Sequence, residues 1–127
     1  MLAMNPVKPT FSEEDRDDLR KLYLALKPFF DLDHAVLPAA YIKAALLVAI
    51  EEGLGVSDYA ERAGASPTVM TRNLLDIGDR NRQRGEGLGL VTQQRDVMDL
   101  RKHRAKLTPK GATLLRDVLR ALRTLKR

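Results

Sequence analysis

The sequence predicts a mainly α-helical domain with one small β-hairpin, in the element order of a winged helix-turn-helix. Three observations carry that prediction. Residues 56–77, V-S-D-Y-A-E-R-A-G-A-S-P-T-V-M-T-R-N-L-L-D-I, hold two short helical patterns separated by a glycine. Two β-patterned segments, 88–94 and 103–108, follow them with eight residues between. Basic residues are concentrated from the second of the short helices onward.

Residues 1–11 contain Pro6 and Pro9 without an apolar period, so they are expected to be a flexible arm, with 12–127 forming a single domain. The chain has no cysteine, which excludes a disulfide framework, a thiolate metal site and thiol catalysis. From Ser12 the run S-E-E-D-R-D-D-L-R-K-L-Y-L-A-L-K-P-F-F predicts a helix. It has a serine cap, acids in the first turn where the helix dipole favours them, and Leu19, Leu22, Tyr23 and Leu26 on one face. Pro28 marks its end or a kink. Capping and solubility account for those acids without a metal, and His34 beside Asp33 in the next loop reads as a solvated histidine. A second helix is predicted from about Pro38 to Glu52, stopped by Gly53, with Ile42, Leu46, Ile50, Ala45 and Ala49 as its buried stripe. Residues 53–56 leave room for one short extended segment.

In the helix pair, Ser57 is placed to cap the first helix, with Glu61 four residues on, and Gly64 to end it. Ser66-Pro67 opens the second helix with a hydroxyl cap and a proline at the position where no amide is needed. Met70, Leu74 and Ile77 then form an apolar stripe, while Thr68, Thr71 and Arg72 point the other way. A small polar face with one arginine is what a DNA major groove accepts. After it, G-D-R-N-R-Q-R-G-E-G (78–87) carries Arg80, Arg82 and Arg84, which either reach phosphates or form a hydrated connection.

The two β-patterned segments form a hairpin in which Ala105 and Leu107 share one face and Arg104 and Lys106 the other. Its tip, R-D-V-M-D-L-R-K, projects as a flap carrying Arg95, Arg101 and Lys102. The apolar Val97, Met98 and Leu100 there have no counterpart in an ordinary exposed wing. Thr108-Pro109 repeats the hydroxyl-plus-proline start and opens a last helix. Its apolar face is Leu114, Leu115, Val118, Leu122 and Leu125, with Arg120, Arg123, Lys126 and Arg127 in its final turns.

Net charge is +5, but residues 1–36 and 37–64 are each −2 and residues 65–127 are +9. A basic surface on an unrelated helical protein would not start at the second helix of the pair, whereas a double-stranded DNA partner would place it there. The longest apolar run, residues 44–50, is seven residues, too short for a bilayer, and residues 1–10 lack a signal-peptide pattern. A cytoplasmic protein without membrane association is expected. With the histidines in separate loops, no cysteine, and glycines that enter a hairpin rather than open a helix, no enzymatic activity, cofactor or metal is expected.

Four stretches taken together resemble the MarR family of bacterial transcriptional regulators: A-E-R-A-G-A-S-P-T-V-M-T-R, G-L-V at 89–91, Asp99-x-Arg101, and L-T-P-K-G at 107–111. The resemblance runs from about Pro38 to Leu115. It implies a homodimer on a pseudo-palindromic operator, with recognition helices in successive major grooves and wings in the flanking minor grooves. By position, Ser66, Pro67, Thr68, Thr71 and Arg72 match the groove-facing residues of the family, and Asp99 and Arg101 its wing pair; Arg82, Arg84 and Lys102 are added as basic contacts. Arginine suits a narrow minor groove, and an acid two residues earlier can hold its guanidinium; an exposed ion pair in a turn is the plainer alternative. The family also commonly has a small-molecule effector pocket between its dimer helices and its DNA-binding lobe. This sequence departs from the family in its longer 78–87 connection and in having one helix after the wing where two are usual, so the dimer is expected to form through the N-terminal and final helices.

The expected function is therefore sequence-specific DNA binding by a transcriptional regulator, a repressor, through helix 66–77 and a wing near 95–102. Two alternatives stay open: a winged-helix protein-interaction module, which the apolar flap favours, and a DNA-binding protein of plasmid or phage replication or partition.

Overall fold

The computed structural model describes residues 7–32, 36–79, 87–98 and 103–124. Its elements run α1 (Glu13–Phe30), α2 (Ala39–Ile50), α3 (Val56–Ala63), α4 (Pro67–Asp76), β1 (Val91–Arg95), β2 (His103–Leu107) and α5 (Pro109–Thr124). The helices and the hairpin come in the order the sequence predicts.

Ser12 opens α1 through a closed capping box: its hydroxyl accepts from the Asp15 amide at 3.0 Å, and the Asp15 carboxylate accepts from the Ser12 amide at 2.8 Å. Pro28 neither ends nor removes the last turn, because the Asp31 amide still closes on the Lys27 carbonyl at 2.9 Å. The helix has two apolar faces. Ala25 and Phe29 are buried where α1 packs along α5, whereas the predicted stripe lies outside, with Leu19, Leu22 and Tyr23 at 53%, 53% and 58% exposure. Leu26 is half-buried between the two faces.

The inner face of α2 is Ala44, Ala45 and Val48. Ile50, expected in the stripe, is exposed, because the helix stops there and Glu51 turns to extended backbone (φ −148°). The extended segment expected at 53–56 does not form a strand, because Gly53 turns at φ +88° and Val56 already begins α3, but two ladder-like bonds remain: the Gly53 amide donates to the Ala105 carbonyl (2.8 Å) and the Ala105 amide to the Leu54 carbonyl (3.2 Å). Residues 53–54 thus line one edge of β2, whose other edge pairs antiparallel with β1 in the register Val91↔Leu107 to Arg95↔His103. β1 is shorter than expected. Residues 88–90 are not strand, because their amides bond to the end of α4 instead: Leu88 to the Asp76 carbonyl, Gly89 to Gly78 and Leu90 to Ile77, at 2.8–3.0 Å. A helix terminus leaves carbonyls without intrahelical partners, and this segment supplies donors for them; Gly89 makes the turn at φ +70°.

Tyr59, Phe29, Met70, Leu74, Ile77, Leu90, Val48 and Val91 are the largest fully buried side chains, so one core joins α1, α2, the helix pair and the hairpin root. Val118, Leu114 and Leu115 close it from α5; Leu122, expected on the same face, is 37% exposed.

Candidate nucleic-acid interface

The helix pair is built by local chemistry. α3 is capped by Gly55 rather than Ser57: the Asp58 carboxylate accepts from the Gly55 amide at 3.3 Å, and Ser57 lies exposed inside the first turn. The start is displaced because extended Gly55 (φ −89°, ψ 172°) puts Asp58, not Glu61, at the third helical position, where an acid can reach back. Gly64 ends α3 in the left-handed conformation (φ +68°), and its carbonyl end is further held by the Lys43 ammonium, which donates to the Ala63 carbonyl at 2.9 Å. α4 begins as predicted, with the Ser66 hydroxyl accepting from the Val69 amide at 3.1 Å and Pro67 at the first helical position.

Met70 and Leu74 anchor α4 in the core, and Ile77 at its C-terminal cap is fully buried. The opposite side holds Thr68, Thr71 and Arg72, all exposed, together with Ser66, Pro67 and, on the same outward side, Val69 and Leu75 at 44% and 39% exposure. Helical spacing puts Leu75 four residues from Thr71 and three from Arg72, on the same side, while Val69 flanks the face beside Met70. The far end of α4 is fixed by Asp76, one of two charged residues buried among the described residues, which accepts from the Tyr41 hydroxyl of α2 at 2.6 Å.

The hairpin comes after α4 and the connection that follows it. Asp96, just after β1, is the other buried acid; it accepts from Arg104 Nε at 2.9 Å and Nη2 at 2.6 Å, and from the Met98 amide at 2.8 Å. Arg104 Nη1 also donates to the Gly53 carbonyl at 2.7 Å. Arg104 and Lys106 share the exposed face of β2 and Ala105 and Leu107 the inner one, as strand alternation implies, and Arg104 in addition is bonded to Asp96 and Gly53. Val97 and Met98 beyond Asp96 are 89% and 93% exposed. Arg82, Arg84, Asp99, Arg101 and Lys102, and with them His34, lie outside the described residues. Among the described residues no three His, Asp or Glu side chains group so as to hold a metal, and no helix is long and apolar enough to cross a membrane.

Two further surfaces stand out. The outer face of α1 carries Leu19, Leu22, Tyr23 and Phe30, the Tyr23 and Phe30 rings lying 6.0 Å apart. Between α1 and α5 a hollow of about 660 Å³ is lined by Leu24, Pro28, Leu32 and Leu114, with Lys27 and Lys110 at its edge. Lys27 is bound to Asp31 at 2.8 Å, and that hydrogen bond raises its pKa.

No protein-family model and no curated protein sequence matches the chain. Among solved structures it is similar to the YusO protein of Bacillus subtilis, at 19% identity over 85% of this chain and 69% of that one, with a TM-score of 0.59. It is similar to a mutant MarR of E. coli complexed with operator DNA, at 17% identity over 86% and 70% of the two chains, with a TM-score of 0.60. It is similar also to the transcriptional repressor CouR bound to a 23-mer DNA duplex, at 24% identity over 86% and 69%, with a TM-score of 0.53. At these identities the likeness is one of fold: five helices and a two-stranded antiparallel hairpin in the MarR-type winged helix-turn-helix arrangement.

Proposed function

We propose that the chain is a DNA-binding regulator of transcription of the MarR type, acting as a repressor, with α4 read into the major groove. The observation that carries this is the outward side of α4: Ser66, Pro67, Thr68, Thr71 and Arg72 are all exposed at the point where the chain turns from −2 to +9 in net charge. The shared fold supports it, since structures of that fold include complexes with operator DNA and with a 23-mer duplex. Phosphate contacts from Arg82, Arg84 and Lys102 supply most of the affinity and its salt dependence, Thr68, Thr71 and Arg72 supply base discrimination, and Asp99 with Arg101 reads the flanking minor groove.

Two partners complete the proposal. A second copy of the chain covers the outer face of α1, and a small-molecule effector with an apolar body occupies the α1–α5 hollow, whose rim carries Lys27 and Lys110 together with Asp31 and Asp117. Selection of bound sequences from random DNA at two salt concentrations tests the whole reading: a symmetric consensus is expected, and its absence at low salt would overturn it. Arg72→Ala is expected to cost about 1–3 kcal/mol and relax base preference, while Arg82→Ala weakens all sequences alike. Equal losses on operator and random DNA for both variants would refute the division of roles.

A further inference from the structure

We infer that Asp96, Arg104 and the Gly53 carbonyl form a clamp that fixes the angle of the wing to the helix pair, so that contact with DNA flanking the half-site is organised before binding. The inference rests on the DNA-binding reading above and adds positioning residues to it.

Asp96 sits at the base of an exposed hairpin tip, where nothing in the core requires a buried carboxylate. Burying one is unfavourable unless it is paired and hydrogen-bonded. Here it is both, with the two Arg104 nitrogens and the Met98 amide on its two oxygens, while its residue remains 8% exposed. The third guanidinium contact, to the Gly53 carbonyl, leads to the segment that caps α3 through Gly55. Glu52 reinforces the same junction by accepting from the Leu107 amide at 2.8 Å. At its root the hairpin is laced by the Leu88, Gly89 and Leu90 amides to the end of α4. The wing is thus tied to the start of one helix of the pair and to the end of the other.

The Arg104 side chain is 46% exposed, but its three nitrogens already donate to Asp96 and to the Gly53 carbonyl, so Arg104 acts as a positioning residue rather than a phosphate contact. Such planar, multiply bonded pairs set geometry, which lysine in the same place cannot reproduce. Their consequence is beyond β1: the Met98 backbone is held through its amide, with the Val97 and Met98 side chains exposed. A surface ordered in advance does not lose conformational freedom again on binding.

The test compares wild type, Asp96→Asn, Arg104→Lys and the double variant on two duplexes that share the selected half-sites, one with the selected flanks and one with scrambled flanks. Wild type is expected to prefer the selected flanks, and each single variant to lose on the order of tenfold in affinity on that duplex with little change on the other. The double variant loses no more than a single one, because the two side chains act as a unit. In the free protein, exchange of the Met98 amide is expected to quicken in both single variants. Equal loss on both duplexes would reduce the pair to a general stabiliser and overturn the inference, as would a flank preference that survives Asp96→Asn. Wild type that binds no DNA at low salt would remove the DNA-binding reading together with this one, whereas an unprotected Met98 amide in wild type would remove the clamp alone.

Discussion

Tyr59 shows how one side chain holds the helix pair in register with the rest of the molecule. It is fully buried, yet its hydroxyl donates to the Glu51 carbonyl at 2.7 Å and accepts from the Leu54 amide at 3.2 Å. Both partners belong to the turn between α2 and α3, so the phenol fixes the approach to α3. Tyr59→Phe keeps the packing but leaves two backbone groups unpaired, and a loss of about 1–3 kcal/mol is expected in urea unfolding. Burial, the largest influence on this phenol, pushes its pKa up. The folded state then holds the proton beyond the ordinary tyrosine value of about 10, while the unfolded chain releases it there. The contribution of Tyr59 is therefore complete below that pH and is lost as pH rises toward the folded pKa. Alkaline unfolding of Tyr59→Phe should be less steep than that of wild type, and parallel curves would contradict this account. By the same local logic Ser66→Ala, which removes the cap of α4, is expected to cost about 1 kcal/mol.

Two glycines at element junctions are required for different physical reasons, and the difference can be measured. A Cβ on Gly111, in the first turn of α5, would sit 2.0 Å from the Leu90 carbonyl oxygen, backbone against backbone with no side chain to yield. Gly111→Ala is expected to exceed the usual overpacking range of about 1–3 kcal/mol and to lower Tm sharply. Gly64 meets nothing within 4 Å but has φ +68°, so Gly64→Ala is expected to cost only about 1–2 kcal/mol, the left-handed penalty. If the two variants melted together, the close approach at Gly111 would not be what holds α5 to the hairpin. The elements themselves were largely legible, because their signals are local: the Ser12 and Ser66 caps, the Gly64 stop, the Thr108-Pro109 start and the Met70, Leu74, Ile77 stripe all stand where periodicity and capping put them. What was not legible depends on partners far along the chain. Periodicity finds that Leu19, Leu22 and Tyr23 share a face, but which of the two apolar faces of α1 turns inward is decided by α5. Strand alternation puts Arg104 beside Lys106, while its role is decided by Gly53, 51 residues away. In the candidate interface, the outward side of α4 followed from the sequence, whereas the buried acids Asp76 and Asp96 did not.

At the scale of the whole molecule, the unpartnered side of α1 bears on how α4 would be presented to DNA. Leu19, Leu22, Tyr23 and Phe30 leave a continuous apolar surface on the side away from α5, with Phe11 exposed just before the helix. Contiguous apolar surface of this kind is rare on a monomer and marks an association site. A second copy of the chain is the occupant proposed above, since a two-fold pair of α4 helices would match the two halves of a palindrome. Light scattering at micromolar concentration is therefore expected to give about twice the 14.2 kDa of one chain. Leu19→Glu combined with Tyr23→Glu places charge on that face while leaving Ala25 and Phe29, the residues that hold α1 to α5, untouched. It should yield a folded monomer with unchanged helix content. Because linking two half-site contacts multiplies affinity by roughly 10²–10⁴, the monomer should lose about that factor on a full operator. Its salt dependence should fall toward half as well, since half the phosphate contacts remain. A wild-type chain that is monomeric, or a double variant that stays dimeric, would place the dimer interface elsewhere and leave the outer face of α1 to a different partner.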